Sequence, residues 1–570
     1  MTTPVLSVVV PAHDAGAWLE ELLGSVLAQG IADMEVLVVD DRSSDETVEV
    51  VEAVRARDAR VRLLAADTPG GAGARNTGAA AARGEYLVFA DADDLVPPGA
   101  YLAMTDSLER SGSDLVIGDH LKFSPTATWS PTRRWLPFDV ALTGTTISAV
   151  PALLTGRACW NRLFRRAFWV EERLSFPAVG HADDIVPMTQ AVLRARSIDV
   201  VPDCVYLYRD RAGGPAASMS RRADETALLE YLQEETACVQ LVRSLAADLL
   251  TQQSMLVLDA DGWVHIDRYF EQLDEAESPT PAVITALLDL LGLLDLSVIN
   301  DVTAERRCLF ALLMIGRYDI AVRFAAAVRL GGSADGARLV AWVEAMDALV
   351  ASMVLPELDR PTLIAEGLLK SMLHDAESVA LDLLIPVVRG SSSLANLVPL
   401  LARQRSELEA AMHAAVAADD VLAVRLLSEL RHHAPVVVDR VITMPRELEL
   451  SGPTAAAHLL ARATVSLWSD GSTVSSAVAV AGNRWSAKIS GGDLGPGRWS
   501  VSIGLHMGDI DVRVPLVTAR MPLPPVPADH LLQPLSDRKD GWRFLLDRRN
   551  PPGLLNRIRS RIRPRRAHRS

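Results

Sequence analysis

A chain of 570 residues, 49% apolar and 23% charged, has the composition of an ordinary globular protein and the length for about three or four domains. Its net charge of −15 argues against a nucleic-acid partner, and the four cysteines, Cys159, Cys204, Cys238 and Cys308, show no paired spacing, which excludes a disulfide framework or zinc knuckle and fits a reducing compartment. Residues 1–11 lack a basic stretch followed by an apolar run, and no apolar stretch reaches bilayer length, so a cytoplasmic protein, soluble or peripheral on the inner face of the membrane, is expected.

Leu6 to Val10 reads as an apolar strand ending at Pro11-Ala-His-Asp14. A helix from Ala17 to Gln29 follows, with Trp18, Leu19, Leu22, Leu23, Val26 and Leu27 on its buried side. Met34 to Val39 is the second strand and ends at Asp40-Asp41. Asp45 or Ser44 is placed to cap the helix that begins at Glu46. Val61 to Ala65 is a third strand, and after a Gly70-Gly71-Ala-Gly73 turn an alanine-rich segment, Ala74 to Ala82, reads as a short helix ended by Gly84. Tyr86 to Ala90 then reads as a strand apolar on both faces, running directly into Asp91, Asp93 and Asp94.

Crowded carboxylates raise one another's pKa, and a divalent cation is the usual way to offset the repulsion. Mg²⁺ and Mn²⁺ take one or two protein carboxylates and fill their remaining positions with phosphate oxygens and water, so this stretch reads as a metal-diphosphate platform; taken alone, an Asp-x-Asp is more often an acidic turn. Strands alternating with helices call for a parallel sheet with right-handed crossovers, whose ligands sit at the C-terminal strand ends. Pro11 to Asp14, Asp40-Asp41 and Asp91 to Asp94 all occupy that edge.

These segments together, Ser7-Val-Val-Val-Pro-Ala-His-Asp14, Val38-Val-Asp-Asp-Arg-Ser-Ser-Asp-Glu-Thr47, Gly73-Ala-Arg-Asn-Thr-Gly78 and Gly84-Glu-Tyr-Leu-Val-Phe-Ala-Asp-Ala-Asp-Asp94, resemble family 2 nucleotide-sugar glycosyltransferases of the Rossmann-like GT-A fold. The resemblance implies that Pro11, Asp14 and the Asp40-Asp41 region hold the nucleoside, with a carboxylate reading uracil N3–H. It also implies that Arg75 sits close to the nucleotide, that Asp91 approaches the ribose and that Asp93 ligates Mn²⁺ or Mg²⁺. Asp14 stands where the family usually has Asn, and Arg42 where Gly is common.

Further on, Pro97-Pro-Gly opens a helix and Asp114 to Gly118 is another strand. Trp129, Arg133, Arg134 and Trp135 lie in an irregular stretch, where Trp129 or Trp135 would line an acceptor groove unless, as is commoner, they simply pack. Cys159-Trp-Asn-Arg-Leu-Phe-Arg-Arg166 resembles the family's Trp-x-Lys-Leu-Phe-Arg-Arg segment, with Arg162 in place of Lys. Asp183-Asp184 stands where the family has Glu-Asp at the start of a helix. That match makes Asp184 the catalytic base of an inverting transfer, with Asp183 in support; a helix N-terminal pair of purely structural use has the same placement. Val205 to Arg211 and Ser218 to Arg221 resemble the family's closing element, in which Arg209, Arg211 and Arg221 either grip a diphosphate or are surface arginines.

Residues 222–435 read as successive helices: Thr226 to Leu250, Pro281 to Leu294, Arg306 to Val328, Ala337 to Val354, Pro361 to Leu373 and Glu407 to Leu430. From 446 to 520 the pattern alternates, with strands at Thr464 to Trp468, Val474 to Ala481, Trp485 to Ile489, Trp499 to Leu505 and Ile510 to Val517, as in a small antiparallel β-sandwich. Residues 521–570 form a Pro-rich and then basic tail, and 548–570 read either as a basic amphipathic membrane anchor or as a solubilising tail. The expected architecture is thus a GT-A domain over 1–221 with a mostly parallel sheet, an all-α region over 222–435, the β-sandwich and the tail. That order resembles bacterial wall teichoic acid glycosyltransferases, whose trailing modules serve oligomerisation or polymer binding. The expected activity is metal-dependent transfer from a nucleotide-sugar, a UDP-sugar foremost, to a hydroxyl of a glycan or lipid-linked acceptor of the cell envelope. The alternatives are a nucleotidyltransferase, disfavoured because residues 11–16 lack a Gly-rich basic loop, and a catalytically silent scaffold that tethers wall polymer.

Overall fold

The computed structural model describes residues 3–548 apart from 132–137, 212–223, 275, 330–336, 353–354, 356, 370, 372–406, 419, 434–435, 470–471, 496, 508–509, 519–529, 531 and 538–542. Trp135, Arg221 and the basic stretch after Arg548 therefore lie outside the described residues. The chain divides into two compact units, Met1–Ala325 and Ala326–Ser570.

In the first unit, the alternating apolar segments form β1 (Leu6–Ala12), α1 (Gly16–Leu27), β2 (Met34–Asp40), α2 (Thr47–Arg55), β3 (Val61–Ala65), α3 (Gly71–Ala81), β4 (Tyr86–Phe89), α4 (Ala100–Ser111) and β5 (Leu115–Phe123). Two short strands follow, β6 (Thr128–Trp129) and β7 (Leu142–Thr145), then β8 (Arg162–Arg165), α5 (Arg166–Glu171), α6 (Ile185–Arg194) and β9 (Ile198–Arg209). The sheet order is β3-β2-β1-β4-β8-β5-β9-β7, with β6 on β5. β3, β2, β1 and β4 are parallel to one another, but β8 enters antiparallel between β4 and β5, and β7 is antiparallel to β9. The sheet is mixed: six of its nine strands run in one direction, and β6, β7 and β8 run against them. Strand direction is decided by which neighbour completes the ladder, and that information is non-local.

Glycines of the quoted segments fix how closely the layers meet. A Cβ on Gly78 of α3 would lie 2.3 Å from Val9 Cγ1 of β1, and one on Gly73 would lie 2.1 Å from the Thr68 carbonyl oxygen. Before β4, Gly84 donates its N–H to Ser7 Oγ at 2.8 Å, and a Cβ there would stand 2.6 Å from Ser7 N. Glu46 occupies the cap position of α2 without a side-chain cap bond, and the carboxylate that meets the first amide of the helix is that of Asp45, one residue earlier. Asp45 ties two helix starts together, accepting from Gly16 N at 2.9 Å and from Thr47 N at 3.0 Å.

Helices α7 (Glu225–Leu245), α8 (Leu250–Asp259), α9 (Asp261–Phe270), α10 (Pro281–Leu291), α11 (Ala304–Met314) and α12 (Tyr318–Arg329) continue the chain, and the first unit extends through Ala325. The single helix expected from Arg306 to Val328 is broken because Gly316 adopts φ 76°, a left-handed C-terminal turn that glycine takes without strain. All four cysteines are free, in agreement with the sequence reading.

In the second unit, helices Glu407–Ala417 and Val421–His433 precede an extensive, almost wholly antiparallel sheet whose strands include Ala463–Ser469, Ser472–Ala481, Arg484–Ser490, Gly497–Met507 and Ile510–Thr518. Val436–Val438 pairs parallel with Leu516–Thr518. Ser472–Ala481 changes partner along its length, lying against Ala463–Ser469 through Ala477 and against Arg484–Ser490 from Val478. Strands Leu532–Asp537 and Arg543–Arg548 also join the sheet, so pairing extends past residue 520 into the stretch expected as a Pro-rich tail. Among the described residues no helix is long and apolar enough to cross a membrane.

Gly78→Ala should destabilise the first unit by about 1–3 kcal/mol, because its methyl has to displace Val9 from a packed strand. Thermal unfolding of the full chain checks this, and an unchanged melting temperature would contradict the packing described.

Candidate active site

A cavity of about 850 Å³ opens at the C-terminal ends of β1, β2 and β4. Pro11, Asp14, Asp41, Arg75, Asp91, Asp93, Asp183 and Asp184 all line it. Asp40 and Arg209, also expected at the site, are not among its lining residues.

At the edge formed by β1 and β2, Asp41 Oδ2 accepts from Gly70 N at 2.7 Å and its other oxygen pairs with Arg42 at 2.7 Å. Asp40 is half-buried and turns its carboxylate to Ser43 N at 3.3 Å. Asp14 Oδ1 accepts from Ser44 N at 2.7 Å, which holds its carboxyl below the usual range. Asp14 and Arg42 have φ of 46° and 61°. Asn and Gly, the residues usual at these two positions, are those that adopt left-handed backbone most readily; this chain keeps the conformation with an Asp and an Arg.

Arg75, on the first turns of α3, is the centre of the site. Its Nη2 meets Asp91 Oδ1 at 2.8 Å and its Nη1 meets Asp183 Oδ2 at 2.7 Å, with the guanidinium 5.5 Å from the Phe176 ring centroid. Burial opposes its charge, but Asp183 and then Asp91 outweigh that and hold its pKa well above the usual value. Asp93 pairs with Arg211 Nε at 2.9 Å; burial and then the neighbouring Asp91 push its carboxyl up. Asp94 is buried at 1% exposure and accepts from Arg209 N at 2.6 Å, so it fastens β9 to the strand edge and does not face the ligand space.

Arg209 spends its guanidinium on the Asp93 carbonyl, at 2.7 Å, and on Glu21, also at 2.7 Å. Arg211, two residues on, lines the cavity and lies 4.9 Å over the Trp18 ring. β9 ends at Arg209 and Arg211 lies beyond it, a strand end that the quoted segment Val205 to Arg211 does not mark, so the sequence alone does not separate these two arginines.

Asp183 and Asp184 stand where α6 begins. Ala182 just before them has φ 56°, an uncommon conformation for a residue with a Cβ. Asp184 is the N-cap residue of α6, yet its side chain makes no capping bond. Enclosure by the protein and then the charge of Asp183 push its carboxyl up to about 7. Asp183, paired with Arg75, is also raised, burial again being the larger cause.

Some lining residues are not among those the sequence reading assigns to the site. Trp160 stacks on Tyr206 with ring centroids 4.4 Å apart, and His120 and Tyr208 flank it at 4.7 and 5.8 Å. Trp160 and Tyr208 both line the cavity, whereas Trp129 is exposed on β6 and is not among the lining residues. A further wall comes from helices beyond residue 221, through Leu256, Asp261, His265 and Arg306. Arg162, in the position of the family's Lys, is buried at 1% exposure, bonds to the Ala158 carbonyl and Asn161, and has its pKa lowered to about 10 by burial.

Among the described residues, no three His, Cys, Asp or Glu side chains converge on a complete metal site. The donor set still fits a hard divalent cation bound largely by a diphosphate: Asp93 offers a cavity-facing carboxylate, with Asp91 beside it.

Fold and site together define an α/β domain of the GT-A type with an acidic strand edge. Residues 7–169 match the family model "Glycosyl transferase family 2", and the chain carries a glycosyltransferase domain of that family. It is 28% identical over 236 residues to the uncharacterized glycosyltransferase EpsJ of Bacillus subtilis, covering 41% of this chain and 67% of that protein. It is likewise 28% identical over 221 residues to the succinoglycan biosynthesis protein ExoO of Rhizobium meliloti, covering 37% of this chain and 62% of that protein. Among solved structures, S. aureus TarS 1-349 in complex with UDP-GlcNAc aligns over 57% of this chain and 92% of its own, at 20% identity and a TM-score of 0.45.

The raised pKa of Asp184 has a stability consequence of definite sign. Between about pH 4 and 7 the folded protein keeps a proton that the unfolded chain has lost, so this group's favourable contribution is complete at low pH and lost as pH rises to about 7. Asp184→Asn should therefore melt above wild type at pH 8, by up to a few kcal/mol at about 1.4 kcal/mol per pKa unit. The gap should close towards pH 4. Equal melting temperatures at pH 8 would contradict the environment described for Asp184.

Proposed function

We propose that this protein transfers a sugar, with inversion, from a nucleotide-sugar, a UDP-sugar foremost, to a hydroxyl of a cell-envelope glycopolymer or its lipid-linked precursor. The observation that carries the reading is Asp184. It is a carboxylate at a helix N-terminus not used for capping, raised to about 7, in the same cavity as Asp41, Asp91 and Asp93. A base poised near neutrality holds its proton-accepting form at working pH and still drives proton transfer.

Asp184 takes the acceptor hydroxyl's proton as that oxygen forms a bond to the anomeric carbon. The bond from that carbon to the diphosphate oxygen breaks, and its electron pair leaves with the nucleoside diphosphate. Asp183 acts through Arg75, which links the base loop to the strand edge bearing Asp91. Pro11, Asp14 and Asp41 form the nucleoside end, and Asp91 approaches the ribose. Arg211 supplies positive charge beside Asp93. Asp93 would hold Mn²⁺ or Mg²⁺, which when bound offsets the charge of the departing diphosphate. The glycan acceptor is supported by ExoO, a relative named for succinoglycan biosynthesis.

The test is hydrolysis and binding across a panel of nucleotide-sugars with Mn²⁺, Mg²⁺ or EDTA. One donor should turn over only with metal, and Asp93→Ala should abolish that turnover. Asp184→Asn should keep donor binding while losing about 10²–10⁴-fold in rate. If no nucleotide-sugar binds with any metal, the transferase reading fails. The wild-type kcat/KM should rise with pH and level off above about 7, as the base loses its proton; a profile flat from pH 5 to 9 would remove Asp184 from the role.

A further inference from the structure

The base loop is held from two sides, and one of them lies outside the family-matched residues. On the inner side Arg75 grips Asp183 at 2.7 Å. On the outer side Glu230, in the second turn of α7, points a single carboxylate oxygen at the loop. Glu230 Oε2 accepts the backbone N–H of Gly180 at 3.1 Å and Nδ1–H of His181 at 2.8 Å. Gly180 makes the approach possible, since a Cβ there would already lie 3.2 Å from that oxygen. Between the two grips sits Ala182 in its left-handed conformation, and Asp184 follows with its side chain unspent on the helix. A non-glycine residue in that region persists only where its surroundings over-determine it. Glu230 and Arg75 are the charged groups that do so here.

α7 is well built for this task. Five residues after Glu230, Glu235 is wholly buried, pairs with Arg157 at 2.6 Å and accepts from Tyr231 Oη at 2.9 Å, while Arg157 also meets Asp261 at 2.6 Å. α7 is thereby pinned to the cavity wall, and Glu230 projects from a rigid base.

We infer that Glu230, through His181 and the Gly180 amide, is a positioning residue for the catalytic pair, holding Ala182 in its strained conformation so that Asp184 faces the cavity and Asp183 reaches Arg75. The inference rests on the assignment of Asp184 as base, and its test separates the two. Glu230→Ala, Glu230→Gln and Asp184→Asn, singly and combined in the full chain, are compared for metal-dependent nucleotide-sugar hydrolysis. Hydrogen exchange of residues 176–186 is followed in parallel.

Glu230→Ala should lower kcat by about tenfold or more while leaving the donor KM within about twofold, and should speed exchange across 179–184. In the Asp184→Asn background it should cost almost nothing further, because the group it positions is gone. Glu230→Gln keeps an acceptor oxygen for both N–H groups and should recover most of the rate. An equal loss in both backgrounds, a loss confined to donor KM, or unchanged exchange would each overturn the inference. If Asp184→Asn itself turns over at the wild-type rate, the base assignment fails, and the exchange measurement alone then decides whether Glu230 holds the loop.

Discussion

The site depends on one cation. Asp91 belongs to the end of a buried strand and Asp183 to the start of a helix 92 residues later in the chain; without a positive charge between them, their approach would be repulsive in a partly desolvated cavity. Arg75 meets both at hydrogen-bond distance. Removing one partner of such an enclosed pair leaves an uncompensated charge, worth about 3–5 kcal/mol, far more than an exposed ion pair. The guanidinium also suits the task geometrically, because two of its nitrogens address two carboxylates at once, which a single ammonium does less well. Arg75 thus couples the sheet edge that bears Asp91 to the loop that carries Asp183 and Asp184.

Much of this was legible in the chain. Apolar runs ending in Pro11 to Asp14, Asp40-Asp41 and Asp91 to Asp94 place three polar clusters at one sheet edge, since parallel strands order their C-termini together. The resemblance to the family's Glu-Asp, rather than strand order, implies that Asp183-Asp184 stand at a helix start. What local pattern does not encode is which partner each polar group finds. Asp40 and Asp41 are adjacent in sequence, but only Asp41 faces the cavity. Arg209 ends β9 and Arg211 lies two residues past it, yet Glu21 and the Asp93 carbonyl capture the first. The antiparallel entry of β8 and the wall supplied by α8, α9 and α11 are long-range arrangements, and the helical pattern after residue 221 carries no sign that it helps to line the cavity.

Backbone strain in the first unit concentrates around the cavity. Four of its described non-glycine residues have positive φ, and three of them, Asp14, Arg42 and Ala182, lie at or next to the cavity. Each is held by specific partners: Asp14 by Ser43 and Ser44, Arg42 by Asp41, and the loop around Ala182 by Arg75 and Glu230. Left-handed backbone at a non-glycine residue costs roughly 1–2 kcal/mol per position, an expense the closely packed sheet beneath can sustain. The raised carboxyls of Asp93, Asp183 and Asp184 are a second cost of the same kind.

Both costs follow from one requirement. A carboxylate can serve as a base near neutrality only where enclosure raises its pKa, and enclosure is productive only if the side chain stays off the backbone donors that would otherwise claim it. An aspartate at a helix N-cap is normally claimed in that way. At Asp184 the preceding turn through Ala182 sets an entry geometry in which the cap bond is not made, so the strain at one residue keeps its second neighbour's carboxylate available. The fold therefore spends stability at the loop and at the charge, and the network from Arg75 to Glu230 keeps both expenditures in the same few residues.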